Sequence, residues 1–142
     1  IVFPYLEQFG NPLQLQRWVP GCVNGETILA LAMTEPGHGS DLGRIQTRAM
    51  LKDGEYVING SKIFISNGQL ADLFIVAVRT SSPERPHDGI SLLLVPSDAP
   101  GFARGRNLEK IGLHAQDTSE IFFDAVVSSV LLENLTDIVS IM

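Results

Sequence analysis

An all-β fold, an antiparallel β-barrel or sandwich of about seven to eight strands with a short helix at its N-terminus, is what this sequence predicts, on three observations. From Thr27 onward, apolar runs of strand length alternate with turns. Between two of those runs sits Asp53-Gly54, a pair suited to the positive backbone angles of a type I′ hairpin turn. Helical patterning is confined to the residues before Thr27.

In chain order, Asn11 caps a helix whose first turn accepts Pro12, whose body is Leu13 to Trp18, and which Pro20-Gly21 stops. So short an amphipathic helix is not stable alone. Residues 1–26 therefore read as the end of a helical domain whose remainder lies upstream, 27–135 as a β-domain and 136–142 as a tail. Ile28 to Thr34 is the first strand. Thr47 to Lys52 and Glu55 to Ser66 are the arms of the hairpin, with a bend or bulge at Asn59-Gly60. Leu73 to Val78 is continuously apolar and should be covered on both faces, whereas Ile90 to Val95 and Ser119 to Phe123 carry polar residues and should be half exposed. Between the two central runs, Thr80 to Asp88 contains Pro83 and Pro86 and reads as a surface loop.

Composition narrows the function classes. With 44% hydrophobic and 18% charged residues the chain has the makings of a packed core. Ten Lys and Arg against sixteen Asp and Glu, a net charge of −6, make a poor match for nucleic acid or an anionic membrane surface. Cys22 is the single cysteine, so no internal disulfide forms. No apolar run approaches the ~20 residues that span a bilayer, and an intracellular, soluble protein is expected. His38, His87 and His114 lack any short ligand spacing, so no metal site is expected.

Two stretches carry chemical character. Thr34-Glu35-Pro36-Gly37-His38-Gly39-Ser40-Asp41 follows a strand and exposes its backbone through two glycines and a proline. It lacks the Lys and the following helix of a phosphate-binding loop. Taken alone, it is more often a polar turn. In the second stretch, Asn59 to Gly68, strand alternation puts Phe64 and Ser66 on one face and Ile63 and Ile65 on the other. An aromatic and a hydroxyl together can cover and hydrogen-bond a flat cofactor, although a core Phe beside a strand-end Ser is the commoner explanation of such a pair.

Together the two stretches resemble the middle domain of acyl-CoA dehydrogenases. The family's Thr-Glu-Pro-Gly-x-Gly-Ser-Asp signature is matched from Thr34 to Asp41, and its Ile-Asn-Gly-x-Lys-x-aromatic-Ile-Thr/Ser-Asn-Gly block from Ile58 to Gly68. A third block, Lys110 to Thr118, looks most like the long-chain branch. The likeness runs from about Phe9 to Leu135. After Phe123-Asp124 it departs from the family, because Ser128, Ser129 and Val130 stand where relatives pass through a Val-Pro turn.

The resemblance implies flavin adenine dinucleotide (FAD) against the barrel, with backbone near Leu31 and Met33 and the Thr34 hydroxyl meeting its pyrimidine side. It implies Phe64 packed on the ring where many relatives have Trp, and Ile65 and Ser66 completing the contact, the hydroxyl beside the nitrogen that accepts hydride. Gly39 and Ser40 would approach the flavin, and Ser40 also the thioester arm of the acyl-CoA substrate. Arg85 or His87 would lie near the CoA moiety, although a solvated Arg or His is the plainer reading of either. Glu35 reads as a partner for loop amides. The family's base is a Glu in the helical C-terminal domain, so no catalytic residue is expected here and the isolated chain should be inactive. The full enzyme would transfer electrons to an electron-transfer flavoprotein, assemble as a homotetramer, and reside in bacterial cytoplasm or mitochondrial matrix. An acyl-CoA oxidase, or a stand-alone β-barrel binding module, are the alternatives.

Overall fold

The computed structural model describes residues 1–81 and 89–132. Two helices, α1 (Phe3–Phe9) and α2 (Pro12–Asn24), precede seven strands: β1 (Leu29–Ala32), β2 (Arg48–Lys52), β3 (Glu55–Ser66), β4 (Leu73–Arg79), β5 (Ile90–Pro96), β6 (Phe102–Asn107) and β7 (Thr118–Leu132). The strand-rich class and the helical N-terminus are as the sequence predicts. The sheet is mixed, however: β1 pairs β4 in parallel, and the remaining long ladders are antiparallel. β4 reaches β2 only through Arg48 opposite Arg79, so the architecture is a folded sheet or sandwich and not a clean barrel. Among the described residues no helix is long and apolar enough to cross a membrane.

Asn11 caps α2 as its position suggests. Its side chain accepts from Gln14 N at 2.9 Å and the Gln14 side chain accepts from Asn11 N at 2.9 Å, a reciprocal capping box. The helix does not stop at Pro20 but runs through it to Asn24. Pro20 removes the hydrogen bond to the Gln16 carbonyl, yet both residues are exposed, so water takes the donor's place. The stop comes at Gly25, whose φ of 76° lets the last turn close on the Cys22 and Gly21 carbonyls. Asn11→Ala should cost about 1 kcal/mol in a urea titration; a loss under a few tenths would mean that packing alone holds α2.

The helices find their partner in the sheet itself. Leu6 is buried with Leu73, Ile75, Ala77, Ile90, Leu92 and Leu94, joined by Leu15, Trp18 and Val19. Phe74, Val76, Val78, Leu93 and Val95 face the other side, packing with Ile58, Ile65, Ile121, Phe123 and Val126. Both faces of β4 are therefore covered, as its apolar run predicts. β5 departs from expectation: Ile90 to Val95 are all buried. Ser91 tolerates this because its hydroxyl meets that of Thr80 at 2.8 Å. β7 keeps the half-exposed pattern, with Ile121 and Phe123 inside and Phe122 and Asp124 outside.

The β2–β3 hairpin closes at Lys52 opposite Glu55, with φ of 53° at Asp53 and 87° at Gly54, both positive as a type I′ turn requires. The β3–β7 register shifts at Asn59-Gly60, where Ile58 faces Val126 and Gly60 faces Phe123, so the extra residue lies in β7. Asn59 Oδ1 accepts from Ala125 N at 2.9 Å, and Ala125 sits at φ 53°. A side chain at Gly60 would lie 2.8 Å from the Thr47 Cα, and its φ of 145° excludes one independently.

Candidate functional site

A second irregularity in β3 builds the site. Lys62 pairs with Ile121 and Ile65 with Ser119, three residues of β3 against two of β7. The extra residue changes the strand's phase, so Lys62 and Ile65 both face inward and Phe64 is turned out at φ 59°. Phe64 is 62% exposed. Simple alternation predicts the shared face of Phe64 and Ser66 correctly but pairs Ile63 with Ile65. In the structure Ile63 is half-buried, and Ile65 lies in the core beside Phe74 and Ile121. Any contact of Ile65 with a ligand would have to come from its backbone.

Phe64 and Ser66 border a cleft of about 730 Å3, together with Leu29 and Leu31 of β1, Asn67 and Gln116. Cys22 and Val23 of α2 and the first residues of the chain close its far side. The volume is that of a site for a mid-sized organic ligand. Burial and the nearby Asp72 carboxylate raise the Cys22 thiol above its ordinary value, which keeps it protonated. The rim is fixed by polar contacts: Gln116 Nε2 donates to Asn67 Oδ1 at 2.8 Å, and Asn67 Nδ2 to the Leu29 carbonyl at 3.1 Å. Behind them Asp117 accepts from Gln69 N at 2.6 Å, and Lys110 donates to the Gln116 carbonyl and to Thr118 Oγ1.

Of the residues singled out in the sequence, the cleft brings together Leu31, Phe64 and Ser66. Thr34 does not line the cleft; its carbonyl accepts from Ile63 N at 2.9 Å, which joins it to β3 beside Phe64. Met33 is half-buried against the helix-side core. Gly39 and Ser40 are exposed on the following loop and do not line the cleft. Arg85 and His87 lie outside the described residues. Asn67 falls within the recognised Asn59–Gly68 stretch yet draws attention only once the cleft is seen. Leu29 and Gln116 carry no local signal of a role.

Glu35 is the partner for loop amides that its position suggests, in a tighter setting. Its bridge with His38 turns the loop back at Pro36-Gly37. One carboxylate oxygen accepts from Gln46 N at 2.6 Å, the other from Thr47 N and Lys62 Nζ, each at 2.9 Å. Lys62 is 0% exposed and also donates to the Met33 carbonyl at 2.9 Å. Burial pushes the Lys62 ammonium down to about 8, against the pull of Glu35. Burial would raise the Glu35 carboxyl, but the Thr47 and Gln46 hydrogen bonds and the Lys62 charge outweigh it and hold it below its ordinary value. Both groups are thus ionised at neutral pH.

Fold and cleft define the chain as a strand-built domain with an outward aromatic ring and a hydroxyl on one wall of a cleft. Residues 30–126 match the family described as acyl-CoA dehydrogenase, middle domain. The chain belongs to the acyl-CoA dehydrogenase family. It is 46% identical to the mitochondrial long-chain specific acyl-CoA dehydrogenase of Mus musculus over 127 residues, 89% of this chain and 30% of that protein. The crystal structure of an acyl-CoA dehydrogenase from Geobacillus kaustophilus superposes with a TM-score of 0.91 at 52% identity, covering 94% of this chain and 36% of that one. A glutaryl-CoA dehydrogenase from Mycobacterium smegmatis in complex with FADH2 superposes at 0.85, with 33% identity over 96% of this chain and 35% of that one. The chain thus spans about a third of the length of the relatives it matches.

Proposed function

We propose that this chain forms one wall of the flavin and acyl-CoA site of an acyl-CoA dehydrogenase. The reaction is α,β-dehydrogenation of a fatty acyl-CoA thioester to the trans-2-enoyl-CoA. The observation that carries the reading is Phe64, held outward at a strained backbone angle on the same cleft wall as Leu31 and Ser66. An exposed ring at a cost of that kind fits a flat partner. FAD, bound in the M. smegmatis relative as FADH2, supplies the redox chemistry by accepting the β hydrogen as hydride. This chain's residues bind and orient: Phe64 stacks, the Ser66 and Thr34 hydroxyls hydrogen-bond the ring edge, and Leu29 and Leu31 exclude water.

Further site assignments follow the same reading. Met33 and Ile65 contribute backbone near the flavin, and Gly39 and Ser40 approach the ring, with Ser40 also meeting the thioester arm. Arg85 or His87 would meet CoA. The α proton is taken by a carboxylate from another part of the full protein, of which residues 1–26 are the end of a helical domain. That enzyme passes electrons to an electron-transfer flavoprotein, assembles as a homotetramer, and works in the mitochondrial matrix or bacterial cytoplasm.

Two measurements test this. The 142-residue chain alone, given FAD and a fatty acyl-CoA, should show no turnover and weak or no flavin binding, and enoyl-CoA production would overturn the reading. In the full-length protein, Phe64→Ala should weaken flavin binding about tenfold, the order of an aromatic stacking contact. An unchanged flavin affinity in that variant would remove Phe64 from the site.

A further inference from the structure

We propose that Lys62 and Glu35 are a positioning pair that sets the Thr34 loop against the Phe64 bulge and so fixes the shape of the cleft wall. The inference rests on the flavin reading above for its consequence, but its geometry stands apart. Lys62 Nζ reaches two places in the loop segment, the Met33 carbonyl and the Glu35 carboxylate. Glu35 in turn holds the amides of Gln46 and Thr47, and Thr47 Oγ1 donates to the Ser61 carbonyl at 3.2 Å. The result is a closed circuit from β3 through the loop to the start of β2 and back to β3.

Phe64 sits just beyond this circuit. On one side Ile63 N is bonded to the Thr34 carbonyl. On the other, Ile65 is buried and paired with Ser119. A bulky residue at positive φ costs about 1–3 kcal/mol and persists only where its neighbours over-determine it. Lys62 adds to the Ile63 amide a second directional tie between the bulge and the loop, made from a buried side chain. Replacing both charges by neutral side chains of similar volume costs less than removing one alone, because the desolvation of two charges offsets much of their attraction. What a neutral pair with methionine at 62 lacks is the directional bond to the Met33 carbonyl.

The test uses the purified full-length protein with Lys62→Met combined with Glu35→Gln, which removes both charges and keeps the volumes. Below its own melting temperature, its flavin dissociation constant should be about tenfold higher than that of wild type and quenching of the flavin's fluorescence weaker. Wild-type affinity and fluorescence in the double variant would reduce the pair to a stabilising contact and overturn the proposal. If the wild-type protein itself holds no flavin, the flavin reading fails on its own, and amide exchange decides the pair. The Ile63 amide, held by the Thr34 carbonyl, should then exchange faster in the double variant, and unchanged protection would overturn it. Should that variant not fold, Lys62→Leu combined with Glu35→Gln, which likewise removes both charges and the donor to the Met33 carbonyl, takes its place with the same readouts and criteria.

Discussion

Lys62→Met alone should destabilise the domain by about 3–5 kcal/mol, a large part of the stability of a typical domain. The single substitution leaves the Glu35 carboxylate buried with two backbone amides and no cation. The pH dependence should change in two windows. In wild type the Glu35 carboxyl is held low, so its contribution is present above its unfolded value of 4.5 and lost as the pH falls through the folded value. Without Lys62 that carboxyl rises, and the acid limb of the stability profile moves to higher pH. Lys62 acts at the other end, because its folded value of about 8 lies below the ordinary 10.5. Between the two the unfolded chain holds a proton that the folded chain has released, so wild-type stability gains from Lys62 as pH rises across this window. The variant lacks that gain. Urea titrations at pH 4, 7 and 9.5 measure all three effects, and a loss below about 1 kcal/mol at pH 7 would show that water reaches the pair.

Much of this pair was out of reach of the sequence, for a definite reason. Alternation along Ser61 to Ser66 assigns Lys62 to the same face as Phe64 and Ser66, where a lysine is solvated and unremarked. The extra residue at Phe64 reverses the phase between them, so Lys62 keeps the inward face of Ile58 while Phe64 and Ser66 turn out. The hairpin at Asp53-Gly54 was legible because its turn demands particular residues, and β4 because six consecutive buried positions leave nothing to alternation. β5 was misread since its burial depends on α1 and α2 lying across it, a tertiary fact that Ser91 disguises locally. β6 gave no signal at all. Phe102-Ala103-Arg104-Gly105-Arg106-Asn107 is polar and mostly exposed, and it exists as a strand because β7 pairs with it. Arg104 then anchors it to the turn after β3 through the Gly68 and Ala71 carbonyls. Of the cleft, Phe64 and Ser66 were visible as an outward pair, whereas Leu29 and Gln116 join them only through folding.

Phe74→Ala should lower stability by about 3–5 kcal/mol, mostly through the cavity it opens. Phe74 is fully buried near the start of β4, its ring 4.8 Å from that of Phe102, which lies 5.8 Å from Phe123. These three rings join β4, β6 and β7, and β6 otherwise pairs with β7 alone among the described strands. Ordinary ladder bonds hold the neighbouring backbones, so the sheet cannot collapse into the vacated space and the cavity term should be near its full value. The cleft lies on the other face: Leu29 and Leu31 pack with the helix-side core, whereas Phe74 belongs to the opposite one. The folded fraction should therefore keep its cleft, and the variant should lose stability without losing the outward placement of Phe64. A urea midpoint shifted by the stated amount at unchanged slope is the expected result. A shift worth less than about 1 kcal/mol would mean that the rings can close the gap. An Ile63 backbone amide that loses its bond to the Thr34 carbonyl and its protection in the folded variant would show that the two faces are mechanically coupled after all.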